Sequence, residues 1–119
     1  MTRVSILFDT AIEKLEAQGV RSYDAKKGMC RYRDGKGNCC LFGHMISDEH
    51  YNEKFEGIGI IDYDVITSAI QKTTGVDLTE HFTKYDLNDL QGVHDYIWDG
   101  TTGFKECIPL HLQQKIWGE

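Results

Sequence analysis

The sequence predicts an α+β domain with an N-terminal helix, a central β-hairpin and a helical C-terminal half. Three observations carry this. Val4, Leu7, Phe8, Ala11, Ile12 and Leu15 recur at helical spacing. Met29–Arg33 alternates in side-chain type and runs into Asp34-Gly35-Lys36-Gly37-Asn38, a stretch with the positive-φ residues of a tight hairpin turn. Beyond residue 60, apolar positions return to three- and four-residue spacing in three successive stretches. A chain of 119 residues fits one domain, 1–119.

The elements follow in order. Thr2 is placed to cap the first helix and Gly19 to end it. Cys30–Gly43 is read as the hairpin, with Cys39–Gly43 returning and leading into a short helical turn near Ile46–Tyr51, capped by Ser47 or Asp48. Glu56–Ile61 is apolar and broken by glycines, a third strand or an ordered loop. Asp62 reads as the cap of a helix to Thr74, with Ile66, Ala69, Ile70 and Thr73 on one face and Gly75 after it. Asp86 reads as the cap of the next helix, whose buried side is Leu87, Leu90, Val93, His94, Ile97 and Trp98. Phe104, Ile108, Leu112 and Ile116 then lie four apart, but Pro109 forces the helix to begin there or to kink.

Composition narrows the function classes. With 40% hydrophobic and 27% charged residues the chain is an ordinary globular sequence. A net charge of −6 argues against a broad nucleic-acid face, since that binding neutralises phosphates with Lys and Arg. A local basic patch is still present in Arg21, Lys26, Lys27, Arg31, Arg33 and Lys36. No run is long enough to span a membrane. The opening residues have an early acid and only a short apolar run, unlike a signal peptide. The expectation is therefore a cytoplasmic protein whose four cysteines are reduced.

Four groups of residues can carry chemistry. Cys30, Cys39, Cys40 and His44 flank the turn, with His94 as a distant fourth ligand, so a zinc site from Cys30, Cys40, His44 and His94 is one alternative. Paired Cys-x-x-Cys knuckles are absent, however, and adjacent strand residues point to opposite faces, so the cysteines read better as small buried hydrophobes and no cofactor is expected. A thiol enzyme with Cys40 as nucleophile and His94 as base is a second alternative. It lacks an orienting group, because side chains adjacent on an α-helix diverge by about 100°, which separates Asp95 from His94. Arg31 and Arg33 share one face of the expected strand, where two guanidiniums can grip a phosphate or carboxylate, with Tyr32 on the other face. Asp48, Glu49, Glu53 and Glu56 form an acidic stretch around Tyr51 without the spacing of a calcium loop.

The central segment resembles a known group. Cys30-Arg31-Tyr32-Arg33, then Gly35 and Gly37, then Cys40-Leu41-Phe42-Gly43-His44-Met45-Ile46-Ser47-Asp48-Glu49-His50-Tyr51, then Glu56-Gly57, is similar to short proteins of phages and prophage-bearing bacteria. Their pattern runs roughly Cys-x-Tyr-Arg, Gly, Cys-x-x-Gly-x-Leu-Ile-x-Asp-x-x-Tyr, Glu-Gly. Ile6–Asp9 and Leu90–Asp95 extend the likeness more thinly. His44 and Cys39 depart from the pattern, which weighs against a shared metal site. The resemblance implies a phage protein in the cytoplasm of a host cell.

The sequence therefore points to a small binding or inhibitory protein, acting on a host or defence component or sequestering an anionic ligand. Its binding residues would be Arg31, Tyr32, Arg33, Asp48, Glu49 and Tyr51. The partner would be a host protein or a small anion, not a membrane. A Cys/His-dependent enzyme or zinc protein is the alternative.

Overall fold

A computed structural model describes residues 2–24, 29–60 and 64–118, with the side chains of Met29 and Cys30 outside that description. The chain is mostly helical. Helix α1 spans Arg3–Gln18, α2 Val65–Thr74, α3 Lys84–Gly92, α4 Phe104–Cys107 and α5 Leu110–Trp117. Single 3₁₀ turns lie at Gly43–Met45, Glu53–Phe55 and Leu78–Glu80, and Val93–Ile97 forms a π turn directly after α3. The Cα radius of gyration is 13.2 Å, as expected of one packed domain of about this size. Among the described residues, no helix is long and apolar enough to cross a membrane.

Extended structure is sparse. Strands β1 (Tyr23–Asp24) and β2 (Met29–Cys30) pair antiparallel over two residues each. Farther along, Arg33 and Cys39 form a single antiparallel bridge across the 34–38 turn. A regular hairpin over Cys30–Gly43 is thus not confirmed, and neither is a sheet layer that would make the fold α+β. The reason lies in the turn. Asp34 Oδ1 accepts the N–H groups of Lys36 and Asn38, and Asp34 Oδ2 accepts the Asn38 amide. The side chain closes the turn together with only two backbone bonds, Asp34 N–H to Asn38 O and Cys40 N–H to Tyr32 O, so pairing does not extend into a longer ladder.

Helix α1 forms as its pattern dictates. Thr2 and Ser5 exchange backbone and side-chain hydrogen bonds in a capping box, and Gly19 ends the helix at φ 70°. Its stripe of Val4, Phe8, Ala11, Ile12 and Leu15 is buried. Phe8 meets Phe82 at 5.6 Å and Trp117 at 6.5 Å between ring centroids, so α1 is the spine on which the C-terminal helices pack. Each such fully buried side chain contributes about 1.5–3 kcal/mol.

Helix α2 begins at Val65, after Asp64; the expected cap Asp62 lies outside the described residues. Ile66, Ala69 and Ile70 are its buried face, and Gly75 closes it at φ 79°. The cap of α3 is Thr83 rather than Asp86. Thr83 Oγ1 accepts the Asp86 N–H while Asp86 Oδ2 accepts the Thr83 N–H, so Asp86 is the reciprocal half of the box. Lys115 Nζ joins Asp86 Oδ2 at 2.5 Å and, as the leading cause, lowers the carboxyl's pKa. The short helical turn expected at Ile46–Tyr51 starts earlier, at Gly43, and a separate turn follows in which His50 and Tyr51 both donate to the Ser47 carbonyl. Glu56–Ile60 is an ordered loop rather than a strand.

The π turn changes the register of the next face. Trp98 N–H bonds to the Val93 carbonyl, five residues back, at 2.8 Å. One extra residue in that turn rotates the apolar stripe. Trp98 takes the inward position and is fully buried, whereas Ile97, expected to be buried, is 60% exposed. Trp98 packs edge-on against Phe104 at 5.5 Å and donates its indole N–H to Thr102 O at 2.6 Å. Pro109 then breaks the last helical pattern into α4 and α5 and sits just before α5, where its missing N–H costs nothing. Phe104, Ile108, Leu112 and Ile116 are all buried.

The titrating groups of this frame predict acid sensitivity. Burial first, then the charges of Lys14, His94 and Arg33, lowers the His44 pKa from an ordinary 6.5 to about 4. The unfolded chain therefore binds that proton more tightly, and stability falls as pH drops from about 6.5 toward 4. His44 is only partly buried, so after solvent screening the loss is at most about 2 kcal/mol. The Asp99 pKa is lowered to about 2 by the N–H groups of Thr101 and Thr102, and those of Asp34 and Asp86 are lowered too. Their contributions are present above the ordinary carboxylate range and are lost as pH falls through it. Urea midpoints should thus decline continuously below pH about 6.5, and His44→Gln should remove the first part of that decline.

Candidate functional site

All the residues expected to bind except Glu49 are joined, directly or through Arg33, to Glu56, a carboxylate of the acidic stretch. Glu56 is on the loop after the 53–55 turn and its side chain is 11% exposed. Glu56 Oε1 accepts the Tyr32 N–H at 2.9 Å, and Glu56 Oε2 accepts the Arg33 N–H at 3.1 Å and the Tyr51 hydroxyl at 2.5 Å. Arg31 Nε lies 3.5 Å from Oε1. Tyr32 is buried and donates its hydroxyl to Ile58 O at 2.7 Å, which ties the far side of the same loop. Burial first and then the Glu56 hydrogen bond raise the Tyr51 pKa, so its phenol stays protonated as the donor.

The two arginines do not share a face. Arg31 reaches Glu53 at 3.1 Å, Glu56 at 3.5 Å and Asp24 at 3.8 Å. Burial works against its charge, but the carboxylates of Glu56 and Glu53 more than offset it and raise its pKa. Arg33 turns the other way. It donates to Asp48 Oδ1 at 2.6 Å and to Ile46 O at 2.7 Å, with its guanidinium 4.3 Å from the centre of the Tyr51 ring. The basic hairpin and the acidic stretch therefore neutralise one another across the loop. Glu49 is exposed and stands apart from this network, on the rim of a separate hollow with Tyr51 and Lys72. Of the remaining basic residues, Arg21 donates to Trp98 O at 2.5 Å, while Lys26 and Lys27 lie outside the described residues.

The cysteine and histidine candidates are buried in the frame. Cys40 is fully buried; its Sγ accepts the Gly43 N–H at 3.3 Å and lies 4.0 Å from Gln91 Oε1. Burial raises its pKa far above the neutral range, so the thiol is neutral and not nucleophilic. His94 is also fully buried, yet Asp95 does reach it. Nδ1 lies 2.7 Å from Asp95 Oδ1, against the expectation for α-helical neighbours. Val93–Ile97 is a π turn, and its altered spacing brings the two side chains together. Nε2 accepts the Ser22 N–H at 3.3 Å, so the ring proton is on Nδ1 and is donated to Asp95. Gln91 donates a second hydrogen bond to the same carboxylate oxygen at 3.1 Å. His44 Nε2 is 2.8 Å from Gln18 Oε1, on the opposite side of Cys40 in the chain. The proposed zinc ligands are thus engaged separately. The Cys30 side chain lies outside the described residues, and among these no group of three or more His, Cys, Asp or Glu is placed to hold a metal ion.

Beside the Glu56 network is an open cleft of about 300 Å³. It is lined by Tyr23, Arg31, Tyr32, Glu56 and the 57–59 loop from one part of the chain and by Gln91, Asp95 and Tyr96 from another. Tyr96 is 84% exposed and Tyr23 46%. The π turn thus places Asp95 and Tyr96 on the cleft lining and Ile97 beside it, 60% exposed. Sequence reasoning places Glu56 only in the acidic stretch and misses Gln91 and Tyr96; the signal for Tyr96 is its place off the apolar stripe. Comparison with family models, curated proteins and solved structures finds no match for the chain.

Proposed function

We propose that this chain is a small phage-type binding or inhibitory protein, working in the cytoplasm of a host cell. It engages a host or defence protein at the cleft between Arg31 and Tyr96. The observation that carries this reading is a pair of exposed tyrosines, Tyr23 on β1 and Tyr96 on the π turn, with exposed Ile97 beside the same cleft. Surface tyrosines offer large contact area with a hydrogen-bonding tip at small entropic cost, and they are enriched where partners bind. In this reading the Cys30–Gly43 segment is an irregular hairpin that serves as scaffold. Arg31 contributes its cleft-facing edge while its carboxylates hold it still, and Arg33, Asp48 and Tyr51 shape the loop behind.

The His94–Asp95 contact favours a second reading, a Cys/His-dependent enzyme. The protonated, fully buried Cys40 weighs against it, because its thiol is neither ionised nor open to the cleft. The binding reading predicts that Tyr96→Ala with Ile97→Ala leaves the fold intact and weakens association with a partner identified from the host at least about tenfold, or 1.4 kcal/mol. Tyr85→Ala, which removes an equally exposed tyrosine on α3 (78%), should leave affinity unchanged. Equal affinity for all three proteins by calorimetry would refute the placement.

A further inference from the structure

A second cavity, of about 590 Å³, opens on the other side of the Arg33 loop, between α1, the 34–38 turn and the 43–48 segment. We propose that it is a site for a phosphoryl anion, either phosphate or a small phosphomonoester, held by Lys14, Arg33 and His44. This goes beyond the partner-binding cleft and uses none of its exposed residues.

Three side chains that carry or accept positive charge line this cavity in a protein of net charge −6. Lys14 projects from the exposed face of α1 and has no carboxylate within ion-pair distance among the described residues. Arg33 lies at the wall, and its Nε is buried with no hydrogen-bond partner. Its NH1 edge holds Asp48, whose own side chain is 96% exposed. An exposed carboxylate in that position acts as a stand-in for an external anion: through one oxygen on NH1 it shows that Arg33 binds an acidic group from the solvent side.

His44 completes the set. Gln18 Nε2 donates to the carbonyls of Val20 and Cys39, and its Oε1 accepts the Cys39 N–H, so the amide orientation is fixed. Oε1 must then receive a proton from His44 Nε2, which leaves Nδ1 as the site that gains a proton. The cations around the ring are Lys14 from α1 and Arg33 from the turn, with Asp48 at the rim and Asp34 enclosed by its own turn; His94, on the π turn, has its Nε2 occupied by the Ser22 N–H. Burial first, and then repulsion from these cations, keeps His44 neutral. A bound dianion reverses that repulsion, so binding takes up a proton at Nδ1 and strengthens as pH falls from 7 toward 5.

The test is titration calorimetry of the full chain with inorganic phosphate and, separately, with adenosine monophosphate, at matched ionic strength. Saturable binding is expected with both. Similar affinities would assign the site to the phosphoryl group alone, and tighter binding of the nucleotide would assign it to phosphomonoesters. Asp48→Asn should strengthen binding several-fold by removing the competing carboxylate, while Lys14→Ala should weaken it several-fold. The His44 ring resonances should titrate at higher pH with phosphate present. Absence of saturable binding to either probe would overturn the proposal, as would equal affinities in the wild type, Asp48→Asn and Lys14→Ala. Both positions are on the surface, so folding is not at issue.

Discussion

Glu56→Gln is expected to destabilise the protein by about 3 kcal/mol and to release the loop from residue 31 to 58. The substitution conserves shape almost completely, so the effect isolates chemistry. Glu56 accepts from three donors, the N–H groups of Tyr32 and Arg33 and the hydroxyl of Tyr51, and faces a fourth in Arg31. A carboxylate has acceptors on both oxygens. An amide has one oxygen and one NH₂, so at least one buried donor is left facing another donor. The negative charge that balances the buried part of Arg31 is lost as well, although Glu53 and Asp24 remain. Chemical denaturation should show the loss directly. Hydrogen exchange should show it first at the amides of Tyr32 and Arg33, with Glu56→Asp recovering part of their protection. A midpoint within experimental error of the wild type would mean that Glu56 does not organise this loop.

The second large effect is expected at Gly43. Its φ is not in the left-handed region, and Ala is ordinarily preferred over Gly in a helical turn by about 0.5–1 kcal/mol. The surroundings reverse that preference. A Cβ built on Gly43 would stand 2.1 Å from the Tyr32 carbonyl oxygen and 3.2 Å from the Cys39 Cβ. The same Tyr32 oxygen accepts the Cys40 N–H at 3.1 Å, so it cannot retreat without breaking that bond. Gly43→Ala should therefore destabilise by about 2–3 kcal/mol, through backbone displacement rather than lost contacts. Thermal unfolding decides the sign; a stabilised Gly43→Ala protein would show that the two segments are not in this close approach.

These two residues also mark where the sequence was legible. Helix α1, its Thr2 and Gly19 ends, the break at Pro109 and the stripe Phe104–Ile116 are written in local spacing, and each was readable for that reason. The Glu56 network joins Glu56 to Arg31, Tyr32 and Arg33, more than 20 positions away, and a glutamate in an acidic stretch has the same local appearance whether it is solvated or surrounded by donors. Asp86 looked like a cap because it precedes an apolar run, and Thr83 was overlooked because a capping box divides the work between two residues. Asp95 was separated from His94 by assuming α-helical spacing where the chain makes a π turn. No period in Leu90–Trp98 distinguishes the two, since a single extra residue shifts only Ile97 and Trp98. The hairpin was overread because Asp34-Gly35 signals a turn without specifying how far the flanking strands pair.

Tyr32, Arg33, Gly43, Asp48, Tyr51 and Glu56 are the residues this network and close approach employ. Their roles here are to neutralise one another and to fix a loop. That division of labour, with a charged scaffold behind and an exposed aromatic face in front, is the central claim. It is tested most directly by amide hydrogen exchange of the protein alone and in complex with its purified partner. The account predicts new protection at Tyr23 and through Asp95–Trp98, with little change at Tyr32, Arg33 and Tyr51, which are already held. New protection confined to residues 47–53, with none at Tyr23 or Tyr96, would contradict it.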